Sequence, residues 1–307
     1  DVEEKYVIPA QTVKSIYEVP LNLQKYNIAQ LLAEKLKLGK LKLDLKEWRE
    51  VNRKIKAKKP SLKIAIVGKY TGLDDAYLSV IESLKIACYH AGRNLDHKWI
   101  SSEKLEEKDK ASWRQLKQAK GILVPGGFGT RGVEGKILAA KYARENKIPY
   151  LGLCLGMQIM TIEFARHVLN NPKITSEEFD EQNLIDKSNY IIHFMPGQSK
   201  ERDKGGTLRL GAYPCKITKG TKTYNLYKKT LIDERHRHRY EFNNSYKKIL
   251  EEKGMIFPGI YEKANLVEIA ELKNHPFMIG SQFHPEFKSR PGNPHPLFKG
   301  FIEAAKK

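Results

Sequence analysis

The sequence predicts an α/β fold, an open and mostly parallel sheet with helices on both faces, preceded by a short helical connector. Two observations predict it. After Lys58-Lys59-Pro60, short apolar runs alternate with helical stretches, the pattern of parallel strands joined by crossover helices. Before that point the first sixty residues show helical periodicity and no run of buried strands. The expected division is a connector over residues 1–60 and one domain over residues 61–307. With 307 residues and 40% hydrophobic content, the chain can bury a sizeable core. No apolar run approaches the roughly 20 residues of a spanning helix, so no membrane association is expected. No signal peptide is visible, and the opening at Asp1 reads as a piece of something longer.

In the connector, Leu31, Leu32 and Leu36 mark one helical face, and Leu45, Trp48, Val51 and Ile55 mark another. Asp44 with Glu47 three residues later signals a helix start. Two isolated amphipathic helices cannot bury their apolar faces alone, so this segment must pack on the main domain or on absent chain. The first strand of the domain is expected over 62–67, a helix over 75–90, a strand over 95–100 and a helix over 103–118. A buried strand over 121–124 runs into Pro125-Gly126-Gly127, a helix covers 134–145, and a strand over 148–153 delivers Cys154. Residues 170–211 read as an irregular surface excursion. Strands resume over 256–260, 266–270 and 277–282, and a helix over 297–305 closes the chain.

The net charge of +19 raises the question of nucleic acid, and its distribution argues against it. Residues 40–60 hold nine Lys or Arg against three Asp or Glu, with the lone Trp48 rather than a series of interleaved aromatics and with no nucleic-acid motif, so a solvated helix face is the expectation. Cys88, Cys154 and Cys215 lie far apart with no CxxC pairing. That spacing is neither a disulfide framework nor a metal site, and it points to a reducing, cytoplasmic compartment.

Chemistry gathers at three strand ends. Gly152-Leu153-Cys154-Leu155-Gly156 is a strand-turn-helix whose small flanking residues let a strained nucleophile stand at the sheet edge. The helix start behind it favours the thiolate, the form that attacks. Gln282-Phe283-His284-Pro285-Glu286 supplies a base and a carboxylate able to hold the imidazole in one tautomer. Val124-Pro125-Gly126-Gly127-Phe128-Gly129 offers backbone amides to a developing oxyanion. Taken singly, each piece also has a bland reading: a structural cysteine, a turn histidine, a glycine turn. Together they form a complete set for thiol chemistry.

In order, spacing and type, these three strings resemble class I glutamine amidotransferases, whose motif continues through Met157-Gln158. Within them the sequence is similar to the glutaminase domains of CTP synthases. Val67-Gly68-Lys69-Tyr70, Gly205-Gly206-Thr207-Leu208-Arg209-Leu210-Gly211 and Glu234-Arg235-His236-Arg237-His238-Arg239-Tyr240-Glu241 carry that likeness over residues 61–307. Ser15-Ile16-Tyr17-Glu18-Val19-Pro20-Leu21 resembles the tail of the same family's synthetase domain.

The resemblance implies a division of roles. Cys154 would attack the amide of L-glutamine, His284 would serve as acid and base, and Glu286 would orient it. Gly126 and Leu155 would give amides to the oxyanion, and Gly127, Phe128, Gly156, Met157 and Gln158 would line the substrate site. Glu178 would meet the substrate ammonium and Arg239 its carboxylate, a pairing suited to a free amino acid. As alternate strand residues, Arg235, Arg237 and Arg239 should point together, with His236 and His238 opposite. Arg131, Gly132 and Glu134 would form a lid where GTP acts as activator. No cofactor is implied for this chain itself; ATP, Mg2+ and UTP would belong to a missing synthetase domain, with which a full-length homotetramer is implied. The rival readings are another class I glutaminase, which the Arg-His-Arg-His-Arg-Tyr string disfavours, and a basic nucleic-acid-binding module.

Overall fold

The computed structural model describes residues 2–69, 74–195 and 208–307. Tyr70 and Gly205-Gly206-Thr207 of the strings above lie outside the described residues. The connector holds α1 (Val19–Gln24), α2 (Ile28–Lys35) and α3 (Lys46–Lys56). The domain follows as β1 (Ser61–Gly68), α4 (Leu78–His90), β2 (Asn94–Ser101), α5 (Ser102–Glu106), α6 (Lys110–Gln118), β3 (Gly121–Val124), α7 (Val133–Glu145), β4 (Tyr150–Leu153) and α8 (Leu155–Val168). Its second half holds β5 (Thr175–Ser176), β6 (Tyr190–Phe194), β7 (Arg209–Ile217), α9 (Lys222–Tyr227), β8 (Leu231–His238), β9 (Tyr240–Phe242) and α10 (Lys247–Glu252). It closes with β10 (Met255–Tyr261), β11 (Leu266–Leu272), β12 (Met278–Ser281) and α11 (Pro296–Ala305).

The main sheet has the order β2-β1-β3-β4-β12-β11-β10-β7-β8. From β2 to β12 neighbouring strands run parallel, and from β12 to β8 they run antiparallel. A smaller sheet, β5-β6-β9, stands beside it. Side chains alternate across β1: Ala65 and Val67 join the core under α6, α7 and α8, whereas Leu62, Ile64 and Ile66 join the core under α4 and α11. Helices therefore cover both faces, as the sequence predicts.

Two expectations need correction, and a third is narrowed. The stretch 103–118 is two helices, because Lys108 turns left-handed at φ 59° and Asp109 accepts from Ser112 N to start a new one. Leu32 and Leu36 are 51% and 63% exposed, so the first apolar face of the connector is not buried in this chain. The supposed excursion over 170–211 contains β5, β6 and the start of β7.

The last connector helix, α3, does pack. Leu45 and Val51 are buried, Tyr17 Oη donates to Glu82 on α4 at 2.8 Å, and Lys54 Nζ lies 3.2 Å from His90 Nδ1. Buried Asn52 ties this segment together, donating through Nδ2 to the carbonyls of Tyr17 at 2.6 Å and Trp48 at 2.9 Å. Asn52→Ala would leave the Tyr17 carbonyl without that donor at a cost of about 1–3 kcal/mol. The expected outcome is faster proteolytic cutting within residues 1–57 and a lower thermal midpoint. An unchanged digestion pattern would show that the segment is held by other contacts.

Candidate active site

Parallel pairing puts three functional loops side by side. Val124 of β3 pairs with Gly152 of β4, and Leu153 of β4 pairs with Ser281 of β12, so all three strands end at one rim. Cys154 begins there, with its N–H donating to Ser281 O at 2.7 Å. Its backbone sits at φ 51° and ψ −103°, a strained conformation for a residue with a side chain. Cys154 O accepts from Met157 N at 3.0 Å and Gln158 N at 3.3 Å, which starts α8 directly behind the sulfur. The Tyr150 hydroxyl spans this elbow and donates to Gly156 O at 2.8 Å.

Glycine is required at the crossing points. A Cβ at Gly156 would lie 2.1 Å from Val124 O, and one at Gly152 would lie 2.5 Å from the Gly156 backbone. At Gly126 it would lie 2.9 Å from His284 Cε1 and 3.6 Å from Cys154 Cβ, so this loop closes over both groups. These contacts wall a cavity of about 370 Å³, lined by Cys154, His284, Glu286, Gly126, Gly127 and Phe128 together with Tyr77 and Arg237. Cys154 is only 3% exposed, while Phe128 at the mouth is 49% exposed.

His284 Nδ1 faces Glu286 Oε1 at 2.7 Å, and His284 N donates to Arg235 O at 2.8 Å. Nε2 is buried without a hydrogen-bond partner. Burial alone would lower the pKa of this imidazole. The nearby Cys154, with the charge and hydrogen bond of Glu286, outweighs burial and pushes it up to about 10. The arrangement can therefore hold an imidazolium in the cavity that Cys154 lines.

Other expected residues stand apart from this cavity. Glu178 Oε1 accepts from Gly129 N at 2.7 Å, on the far side of the glycine loop. Burial raises its pKa, offset in part by that hydrogen bond and by the charges of Lys69, Lys136 and Arg239. Lys69 is in turn hydrogen-bonded to the carbonyls of Phe128 and Gly129. Buried Lys136, which the sequence reading missed, has no hydrogen-bond partner on Nζ; burial and the nearby Lys69 push its pKa down to about 8.

Along β8, Arg235 and Arg237 are exposed while His236 and His238 are buried. Arg239 lies just past the strand, half-buried, its Nε without a hydrogen-bond partner. It is Arg237 that lines the Cys154 cavity. Gln158 is buried behind the sulfur, hydrogen-bonded to Tyr240 O at 3.3 Å and to Gln282 Oε1 at 3.1 Å. The Met157 side chain packs into the core against Gly280. Leu155 is buried, with Cδ2 3.5 Å from the position a Cβ on Gly127 would take.

Arg131, Gly132 and Glu134 line a separate open cavity of about 950 Å³. Arg131 Nε pairs with Glu103 at 3.4 Å and Glu134 pairs with Arg166 at 2.7 Å. Gly132, at φ 71°, caps α7 where a Cβ would strike Ser102 Oγ.

The fold is that of a glutaminase, and the chain belongs to the class-I glutamine amidotransferase family, whose model matches residues 73–304. Within that family its likeness is to CTP synthases. The CTP synthase of Roseiflexus sp. (strain RS-1) is 51% identical over 308 residues, covering 100% of this chain and 54% of that protein. The CTP synthase of Mesoplasma florum is 55% identical over 300 residues, covering 97% of this chain and 55% of that protein. A solved Trypanosoma brucei CTPS glutaminase domain with bound acivicin superposes with a TM-score of 0.72 at 36% identity, covering 80% of this chain and 94% of that chain. The chain spans about half the length of the curated relatives it matches. Among the described residues, no helix is long and apolar enough to cross a membrane.

Glu286→Gln should remove part of what raises the His284 pKa. The alkaline limb of the kcat/KM profile is then expected to move to lower pH, with a loss of roughly 10²-fold or more at neutral pH. A glutaminase assay across pH checks this, and an unmoved limb would show that Glu286 does not govern the imidazole.

Proposed function

We propose that this chain hydrolyses L-glutamine to glutamate and ammonia as the glutaminase part of a CTP synthase. The observation that carries the reading is the convergence of Cys154, His284 and the Gly126 loop on one cavity at one sheet rim. Cys154 Sγ attacks the side-chain amide carbon, and the oxyanion that forms is held by the N–H groups of Gly126 and Leu155, the latter at the open start of α8. The imidazolium of His284 gives its proton to the leaving nitrogen, so ammonia departs and a thioester remains. His284 then takes a proton from water, whose oxygen displaces the sulfur and releases glutamate. Glu286 holds the ring in one orientation throughout.

Glu178 is assigned to the substrate ammonium and Arg239 to its carboxylate, with Gly127, Phe128, Gly156, Met157 and Gln158 shaping the path between. The charges of Lys69, Lys136 and Arg239 work to keep Glu178 ionised despite its burial, as an ammonium partner must be. Residues 1–60 are assigned to the tail of a synthetase domain and its linker, and residues 61–307 to the glutaminase. ATP, Mg2+ and UTP are assigned to the half of the relatives that this chain does not span, where ammonia would aminate UTP to CTP in a cytoplasmic homotetramer. GTP is assigned as an activator at Arg131, Gly132 and Glu134.

Ammonia release from glutamine, with and without GTP, tests the reading. Cys154→Ala should abolish release while leaving the circular dichroism spectrum unchanged, and surviving activity would refute the mechanism. Arg239→Lys keeps the charge but loses the forked grip, so the KM for glutamine should rise about 10-fold or more with a smaller change in kcat. An unaltered KM would reassign the carboxylate to another group.

A further inference from the structure

The sulfur of Cys154 has a neighbour that the mechanism above does not use. Gln282, fully buried at the end of β12, places its side-chain amide 3.5 Å from Sγ. Which end of that amide faces the sulfur is dictated by a chain of partners that starts at a backbone carbonyl. Tyr240 O can only accept, and it lies 3.3 Å from the Gln158 side chain, so the atom of Gln158 at that point is Nε2. The same nitrogen is 3.1 Å from Gln282, which must therefore present Oε1 there. The remaining NH2 of Gln282 is left to face the sulfur. Flipping Gln282 would set two donors against each other at Gln158 and turn an acceptor onto the thiolate.

The anchor of this chain is itself braced. Tyr240 O also lies 3.2 Å from His238 Nδ1, which must carry a hydrogen to donate there. In a neutral His238, Nε2 then accepts from His236 Nδ1 at 2.9 Å. Beyond it, Glu268 faces His236 Nε2 at 3.4 Å and is clamped by Arg209 at 2.7 Å. All four side chains of this outer cluster are buried. Glu268 also holds the other end of Gln282, whose N–H donates to Glu268 O at 2.8 Å. Main chain and side chain of Gln282 are thus both fixed.

We propose that Gln282 is a further catalytic residue, donating a side-chain N–H to Cys154 Sγ to stabilise the thiolate, with Gln158 and the Tyr240 carbonyl as its positioning groups. The inference rests on Cys154 being the nucleophile. A neutral amide is well matched to this position, because it favours the sulfur anion yet cannot protonate the sulfur and does not compete with His284 for the travelling proton. The other charged or titratable groups on the cavity are His284 and Glu286 after β12, Arg237 on β8, and Asp75 and Tyr77 before α4. With them stands the amide-rich start of α8. Substitution at Gln282 leaves all of these in place.

The test is the pH dependence of Cys154 alkylation by iodoacetamide in the 307-residue chain, read site by site by mass spectrometry. Cys88 and Cys215 do not compete, because both are fully buried and burial pushes their thiol pKa values up, that of Cys88 to about 12. Gln282→Leu should move the alkylation midpoint up by about one pH unit, equivalent to about 1.4 kcal/mol. Below the original midpoint, labelling should be about ten-fold slower. Gln158→Leu should shift it the same way by less, since Gln282 is then free to rotate. Gln282→Glu keeps the shape while turning an acceptor to the sulfur, and should shift it further than leucine does; it carries the test if the leucine variant does not fold. An unchanged alkylation profile in any folded Gln282 variant overturns the proposal. If Cys154→Ala is inactive and that profile is unchanged, only this inference fails, whereas an active Cys154→Ala removes the glutaminase mechanism itself.

Discussion

A methyl group at Gly156 would sit 2.1 Å from the Val124 carbonyl oxygen, and one at Gly280 would sit 2.7 Å from the Met157 backbone. The first turn of α8 lies on β3, β4 and β12 with no room for a side chain between them. Because the helix is that close, its open amides and its dipole reach the position of the sulfur. Cys154 pays for this approach with an unfavourable backbone conformation, which persists because neighbouring contacts over-determine it. The cavity that Cys154 shares with His284 and the reach of Gln282 both presuppose that spacing.

The charges around the site divide into two compartments with the glycine loop between them. On one side the His284 imidazole lines a cavity with Cys154 and is held by Glu286. On the other, Glu178 is held by a backbone amide and surrounded by the charges of Lys69, Lys136 and Arg239.

The parallel half of the fold was legible in the sequence because its strands are buried on both faces and read as unbroken apolar runs, as in Ile64–Val67 and Ile122–Val124. The antiparallel half was harder to read. Along β8 the buried positions are Ile232, Glu234, His236 and His238, so the inward face is mostly polar and the usual alternation signal is lost. The same polar packing hid β7, whose buried Arg209 reaches Glu268. The strand-end loops that bring Cys154, His284 and Gly126 together were legible through glycine spacing, which reports backbone geometry directly. Gln282 and Lys136 carry no such mark: each is an ordinary polar residue whose significance lies in what surrounds it. The break at Lys108 was missed because a lysine in left-handed conformation has no sequence signature comparable to glycine.

The hydroxyl of Tyr150 bridges from the start of β4 to Gly156 across the turn that carries Cys154. Strand, turn and helix therefore form a closed loop, fastened by a phenol that is itself wholly enclosed by protein. Such a clasp cannot be loosened gradually, because releasing it strands a polar oxygen where water does not reach. The elbow is thus locked as long as the tyrosine stays enclosed, and the cavity can change shape only at its other walls, of which the half-exposed Phe128 is one.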